Sequence, residues 1–184
     1  MGTLSKSIPD VPRAAVFLDR DGVINVRRPE VEYVTQVAQF DFLPGALEAL
    51  TILSELGLAL VLVTNQRGIA RKMMTEDDLA AVHGHMQAEA LKRGVRFDGI
   101  YHCPHDTIEQ CTCRKPEPGM ILKAAEDLQI DLTRSYMVGD TPSDIEAGKR
   151  AGVRAVQITD GDECVADTVF PSLLDFALYL KEHT

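Results

Sequence analysis

Four short polar clusters stand out in this chain: Asp19-Arg20-Asp21-Gly22-Val23, Thr64-Asn65-Gln66 and Gly139-Asp140-Thr141-Pro142-Ser143-Asp144, each after an apolar run, and Arg114-Lys115-Pro116, after a group of cysteines and before a helix. Their residue types suit phosphoryl transfer. A carboxylate can attack phosphorus and form an aspartyl phosphate, but a dianionic phosphate repels it unless a cation intervenes. Asp19 and Asp140 would supply hard oxygen ligands for Mg²⁺, which binds through one or two carboxylates plus substrate phosphate. Asp21 lies two residues past Asp19 in a turn that Gly22 permits. From there it can protonate a leaving oxygen and later take a proton from water. Thr64 offers a hydroxyl, and Lys115 a charge, to the transferring group. Pro116 has no N–H to donate and restricts Lys115 to extended backbone. Taken singly, an Asp at a strand end is commonly a helix cap or an Asx turn. Four such clusters, each at the tip of a strand, read as one site.

A second constellation is Cys103-Pro-His105 with Cys111-Thr-Cys113. Three thiolates and one imidazole match a tetrahedral structural zinc site, although the one-residue spacings are tighter than usual. The plainer alternative is a set of buried free thiols or a disulfide. Four protein ligands leave no open position for catalysis, so this metal is expected to pin the 103–113 loop beside Arg114 and Lys115. Cys164 reads as an isolated thiol. His83 and His85 are two apart on a helix, share no face and make poor co-ligands; they read as surface or partly packed side chains. His102 is expected to alternate away from the cysteines along its strand.

The elements that must position these residues alternate. Apolar runs at 14–18 and 58–64 read as buried strands, with a helix at 46–56 between them that opens after Pro44-Gly45 and stops at Gly57. Thr75 followed by Glu76, Asp77 and Asp78 is a hydroxyl N-cap with acids in the first turn, beginning a helix that runs to about Arg93. Then come a short strand at 100–102, a helix at 119–128, and a strand, helix and strand at 136–138, 143–151 and 155–158. A strand at 168–170 and a helix at 172–182 finish the chain. This is α/β: an open, doubly wound parallel sheet covered on both faces. Such sheets bind ligands beyond the carboxyl ends of their strands, where the four clusters fall. Only 42 residues separate Asp21 from Thr64, and 50 separate Thr64 from Lys115. Core elements consume both intervals, so no cap domain is expected and the site should be open.

The chain has 184 residues, 45% hydrophobic and 26% charged, which suits one domain (1–184) with a lead-in at 1–13. A net charge of −9 opposes adhesion to nucleic acid or anionic lipid. The longest apolar run, 58–63, is too short to span a bilayer, and residues 1–13 lack the apolar stretch of a secretory signal. A cytoplasmic monomer is the expectation.

The four clusters resemble the motif pattern of the haloacid dehalogenase (HAD) superfamily of phosphohydrolases, over essentially the whole chain. The resemblance implies Asp19 as nucleophile, Asp21 as acid/base, and Thr64 and Lys115 as stabilisers of the phosphoryl group. It also implies Mg²⁺ held by Asp19, Asp140 and the Asp21 carbonyl, with Asp144 in support. A zinc loop in a capless member resembles two families, the D-glycero-D-manno-heptose-1,7-bisphosphate 7-phosphatases and the histidinol-phosphatases. Phe17-Leu-Asp-Arg-Asp-Gly-Val-Ile-Asn25, Tyr33-Val34, Thr64-Asn-Gln-Arg-Gly-Ile-Ala-Arg71 and Cys113-Arg-Lys-Pro-Glu-Pro-Gly-Met120 favour the heptose enzymes, as does Tyr136-Met-Val-Gly-Asp140. That family acts in making nucleotide-activated heptose for lipopolysaccharide and other surface glycans. By the same resemblance Arg114 is expected to recognise a small phosphorylated sugar, and Asn65, Gln66 and Arg67 are expected to contact it as well. Arg27 and Arg28, in the loop after the first cluster, read either as holders of its second phosphate or as two solvated surface arginines. Two features depart from the heptose pattern. The five residues between His105 and Cys111 are as few as in histidinol-phosphatases, and Thr141 replaces a Lys. A broader sugar phosphatase is a further alternative. A signalling receiver also uses Asp, Thr and Lys, but needs neither Asp21 nor a zinc loop. A zinc-dependent nucleic-acid binder would need a basic stripe that this sequence lacks.

Overall fold

The structure, a computed structural model, describes residues 12–27, 32–161, 165–166 and 168–183. The expectations for Arg28, for Cys164 and for most of the 1–13 lead-in lie outside these residues. Six strands form one parallel sheet: β1 (Ala15–Leu18), β2 (Ala59–Asn65), β3 (Gly99–Cys103), β4 (Tyr136–Gly139), β5 (Arg154–Ile158) and β6 (Thr168–Phe170). Their spatial order is β3-β2-β1-β4-β5-β6. The five α-helices are α1 (Ala46–Glu55), α2 (Glu76–Leu91), α3 (Gly119–Leu128), α4 (Pro142–Ala151) and α5 (Leu173–His183). The expected elements are all present, with ends displaced by one or two residues, as helix fraying and strand tips allow.

Side-chain alternation along the strands builds two cores. Val16 and Leu18 of β1, with Leu60 and Leu62 of β2, face α1, α2 and α5 through Leu50, Leu53, Val82, Met86 and Phe176. Ala15 and Phe17, with Val61 and Val63, face α3 and α4 through Met120, Ile121, Ala124 and Ala147. Because both faces are covered, these strands read as continuous apolar runs rather than alternating ones.

Chain order fixes where a site can form. The path lays β2 and β3 on one side of β1, then returns to lay β4, β5 and β6 on the other. The connections leaving β1 and β4 therefore diverge and open a crevice at the carboxyl ends. Asp19 directly follows β1, Asp140 directly follows β4, and the Asp19 N–H donates to the Val138 carbonyl at 2.9 Å, extending the β1/β4 pairing into the crevice.

Phe17 is fully buried between the sheet and α3/α4. Phe17→Ala should therefore destabilise the chain by about 3–5 kcal/mol through lost burial and a residual cavity. Urea unfolding monitored by circular dichroism would measure it. A loss below about 1 kcal/mol would contradict this packing.

Candidate active site

Lys115 is the centre of the crevice. Its buried Nζ donates to Asp19 Oδ1 at 2.7 Å and to the Val63 carbonyl at 2.8 Å, and it pairs with Asp144 Oδ1 at 2.6 Å. The main chain at Lys115 is clamped by one side chain of β2. Asn65 Oδ1 accepts from the Lys115 N–H, and Asn65 Nδ2 donates to the Lys115 carbonyl, both at 3.0 Å. Asp144 is held from its other side, since Oδ2 accepts from the Thr141 N–H at 3.0 Å and from the Thr141 hydroxyl at 2.6 Å. Thr141 thus orients Asp144 at the start of α4.

Burial pushes the Asp19 carboxyl up to about 6, with Asp144 and Asp21 adding to the rise and Lys115 opposing it. Burial also pushes Asp140 up to about 7, helped by Asp19 and Asp144 and opposed by Arg27. For Lys115 burial disfavours the charge, yet Asp144 and Asp19 together hold the ammonium well above its ordinary range.

Asp21 occupies a different environment. Arg20, completely buried, donates from Nη2 to both Asp21 oxygens at 2.9 and 3.0 Å. Asn25 Nδ2 reaches Oδ1 at 2.9 Å, and Gln66 Nε2 reaches Oδ2 at 3.0 Å. Burial would raise this carboxyl, but Arg20 and the Asn25 and Gln66 hydrogen bonds hold it below its ordinary value. The turn depends on Gly22, whose φ is +93°. A Cβ there would fall 2.1 Å from Asp140 Oδ2, so the first and fourth clusters touch where only glycine fits.

Asp19, Asp140 and Asp144 present oxygens within 4.8 Å of one another. Like charges at that range repel by roughly 3–4 kcal/mol per pair at an effective dielectric near 20. One ammonium does not balance three carboxylates. The half-exposed Arg27 lodges in the remaining gap, its Nη2 lying 3.1 Å from Asp140 Oδ1 and 3.1 Å from the Asp21 carbonyl. A cationic group thus already rests on two of the oxygens expected to hold Mg²⁺. The set of hard oxygen donors, with a guanidinium standing in among them, fits a divalent ion.

Beside Asp21 opens a cavity of about 210 Å³ lined by Arg27, Arg67, Arg114, Asn65, Glu32 and Tyr33, among others. Arg67 Nε donates to the Tyr33 hydroxyl at 2.8 Å, while Glu32 pairs with both Arg67 and Arg71. Arg114 Nη1 lies 3.3 Å from the His105 carbonyl, which ties one wall of the cavity to the cysteine loop.

In that loop Cys113 Sγ lies 3.0 Å from Cys103 Sγ and 3.4 Å from Cys111 Sγ, and His105 Nδ1 lies 3.2 Å from Cys113 Sγ. These separations are far beyond a disulfide bond of about 2.0 Å, and all three thiols are free. Thiols are weak hydrogen-bond donors, and these three thiols and one imidazole converge so closely that they could hold a metal ion. The same donor set suits tetrahedral coordination.

Comparison with known proteins agrees with this geometry. Residues 112–175 match the HAD-hydrolase-like family model. The chain is 41% identical to the D-glycero-beta-D-manno-heptose-1,7-bisphosphate 7-phosphatase of Yersinia pestis, across 97% of this chain and 98% of that one. It is 40% identical to the protein of the same name in Escherichia coli K12, across 97% of each. The crystal structure of D,D-heptose 1,7-bisphosphate phosphatase from B. bronchiseptica, complexed with magnesium and phosphate, superposes with a TM-score of 0.86 at 30% identity, covering 93% of this chain and 99% of that one. The chain belongs to the heptose-1,7-bisphosphate 7-phosphatase family of HAD-like hydrolases.

Within that family frame, the residues expected at the site divide by position. Asp19, Asp21, Thr64, Lys115, Asp140 and Asp144 meet at the strand ends, and Arg27, Arg67 and Arg114 reach the adjoining cavity. Asn65 also lines it, but both ends of its amide serve Lys115. Gln66 is fully buried beneath Asp21, where Nε2 bridges to the Thr64 hydroxyl at 2.9 Å. Arg27 lines the cavity while its Nη2 contacts Asp140 Oδ1 and the Asp21 carbonyl. His102 turns from the cysteines to pair with Glu76 at 2.9 Å. His83 is buried, not at the surface: it lies four residues after Leu79 and three before Met86 on the face of α2 that meets the sheet. Residue type singles out neither Arg20 nor Asn25 and gives His83 only a surface or partly packed reading, although the helical period marks His83 and the Asp-Arg-Asp alternation marks Arg20. Among the described residues, no helix is long and apolar enough to cross a membrane.

Replacing Cys113 with Ser should abolish the bound metal measured by elemental analysis and lower the melting temperature by roughly 5 °C or more, since about 1 kcal/mol moves Tm by some 2–4 °C in a chain this size. An unchanged melting temperature and metal content would contradict a metal centre in this loop.

Proposed function

We propose that this chain hydrolyses the 7-phosphate of D-glycero-D-manno-heptose 1,7-bisphosphate, in the β form that its relatives' names carry, through an aspartyl phosphate on Asp19. The reading is carried by one observation: Asp19 stands against Lys115 and beside Asp140 in a chain about 40% identical, end to end, to enzymes named for that reaction.

Asp19 Oδ attacks phosphorus in line with the bond to the sugar oxygen. That bond breaks, its electron pair goes to the oxygen, and Asp21 delivers the proton that makes it a hydroxyl. Asp21 is held as a carboxylate in the free protein, and an incoming phosphate dianion beside it raises its proton affinity. In the second half Asp21 takes a proton from the water that attacks the aspartyl phosphate, the P–O bond to Asp19 breaks, and inorganic phosphate leaves. Lys115 and the Thr64 hydroxyl stabilise the transferring oxygens. Asp19, Asp140 and the Asp21 carbonyl would hold Mg²⁺, which when bound offsets the repulsion between carboxylates and phosphate; Asp144 supports them through Lys115.

The cavity that Arg27 lines with Arg67 and Arg114 suits the second phosphate. Cys103, His105, Cys111 and Cys113 hold zinc as a structural ion and fix Arg114 through the His105 carbonyl. The chain is read as a single domain acting as a monomer. The reaction belongs to the cytoplasmic synthesis of nucleotide-activated heptose.

The test is phosphate release with Mg²⁺ from both anomers of the heptose bisphosphate and from histidinol phosphate, by wild type and Asp19→Asn. The expected result is a kcat/KM preference of about a hundredfold or more for a heptose bisphosphate, with the Asn variant slower by about 10³-fold or more. Faster turnover of histidinol phosphate would overturn the substrate assignment. Retained hydrolysis by Asp19→Asn would overturn the mechanism.

A further inference from the structure

Among the described residues, the buried charged or imidazole side chains are Asp19, Arg20, His83, Lys115 and Asp144. The chemistry above gives His83 nothing to do. It sits on α2, on the far side of Arg20 from Asp21, with Nε2 lying 3.3 Å from Arg20 Nη1. A guanidinium only donates hydrogen bonds. His83 Nε2 must therefore be the acceptor, which places the ring proton on Nδ1 and leaves the imidazole neutral. The surroundings enforce that state: burial, then the Arg20 charge and the His102 ring 6.3 Å away, push the imidazole down to about 3, with only Asp21 opposing.

Arg20 is consequently held at two edges. Nη2 and Nε grip the Asp21 carboxylate, with Nε 3.3 Å from Oδ1, and Nη1 is anchored on His83. The anchor belongs to an element with its own registration. The Thr75 hydroxyl accepts from the Asp78 N–H at 3.1 Å and the Asp78 carboxylate accepts from the Thr75 N–H at 2.8 Å, a capping box that starts α2 two turns before His83. Without an acceptor at position 83, a buried guanidinium donor is left unmade, a costly state. The guanidinium then shifts toward other acceptors, and the carboxylate it grips moves with it.

We propose that His83 is a positioning residue for proton transfer: its Nε2 fixes the Arg20 guanidinium, which in turn aims the Asp21 carboxyl at the leaving oxygen. The proposal rests on Asp21 being the acid/base, as read above.

The leaving group separates this role from simple packing. A sugar alkoxide needs a proton as the P–O bond breaks, whereas a nitrophenolate departs without one. The experiment measures kcat/KM, with Mg²⁺, on the heptose bisphosphate and on p-nitrophenyl phosphate for wild type, His83→Leu, His83→Gln and Asp21→Asn. Leucine keeps apolar bulk without an acceptor, and glutamine restores an acceptor oxygen. His83→Leu should lose about tenfold or more on the sugar phosphate, a fraction of what a general acid supplies, and stay within about twofold on the aryl phosphate. His83→Gln should stay within about threefold of wild type on both. Asp21→Asn should show the same selectivity more strongly. Equal losses on both substrates, no loss in His83→Leu, or a glutamine variant as slow as the leucine one would each overturn the role of His83. A selective Asp21→Asn beside an unselective His83→Leu overturns this proposal alone. An unselective Asp21→Asn overturns the acid/base reading, and this proposal with it. Melting temperatures report folding, and His83→Ala carries the same comparison if leucine prevents it.

Discussion

A single buried ammonium organises this molecule's chemistry. Lys115 Nζ is shared between Asp19 and Asp144, with the Val63 carbonyl as its third acceptor. Removing either carboxylate's partner would leave a buried charge without compensation, a penalty of several kcal/mol. The three elements that meet at the ammonium must therefore stay in register. β1 delivers Asp19, the N-terminus of α4 delivers Asp144 under the Thr141 bonds, and the segment after the cysteine loop delivers Lys115 under the Asn65 clamp. The arrangement also sets an electrostatic demand. Asp140 adds a third carboxylate within 4.8 Å, and the Arg27 guanidinium pairs with it at 3.1 Å. A divalent cation would offset the excess negative charge, which is why a cluster so poorly matched in isolation suits phosphoryl transfer.

The two ends of the crevice handle carboxylates in opposite ways. On the Asp19 and Asp140 side, burial and mutual repulsion raise proton affinity until cations relieve it. On the Asp21 side, a buried arginine and two amides hold the carboxyl ionised. In the free protein the two neighbouring carboxylates therefore differ in proton affinity, Asp19 raised and Asp21 lowered. The separation comes from Arg20 projecting away from Asp19 along the alternating backbone, into the region beneath β1 where α2 brings His83.

Much of this was legible in the sequence, and the limits follow from what sequence patterns encode. Strands buried on both faces announce themselves as runs such as Leu58–Val63, and helices by a hydroxyl and acids at Thr75–Asp78. The parallel sheet and its strand-end clusters followed from these. Asp19, Asp21, Lys115 and Asp140 stood out because few other chemistries need those residue types at strand tips. Residues whose task is to hold another residue were harder to read. Asn65 and Gln66 look like substrate ligands by position, but one spends its amide on the Lys115 backbone and the other lies wholly beneath Asp21. Arg27 reads from the sequence as a loop arginine, and its contacts with the Asp140 carboxylate and the Asp21 carbonyl depend on a fold-level approach that spacing does not encode. His83 was judged against His85, two residues away, when the relevant neighbours were Leu79 and Met86 on the same helical face.

The proposed mechanism requires Asp19 Oδ to take the phosphoryl group. Enzyme mixed with Mg²⁺ and heptose bisphosphate, quenched in acid during turnover and treated with borohydride, reports this directly, because an acyl phosphate is reduced where a free carboxylate is not. Peptide mass spectrometry should find homoserine in place of aspartate at position 19, and nowhere else, only in samples that received substrate. Reduction at another aspartate, or none during active turnover, would contradict the assignment of the nucleophile.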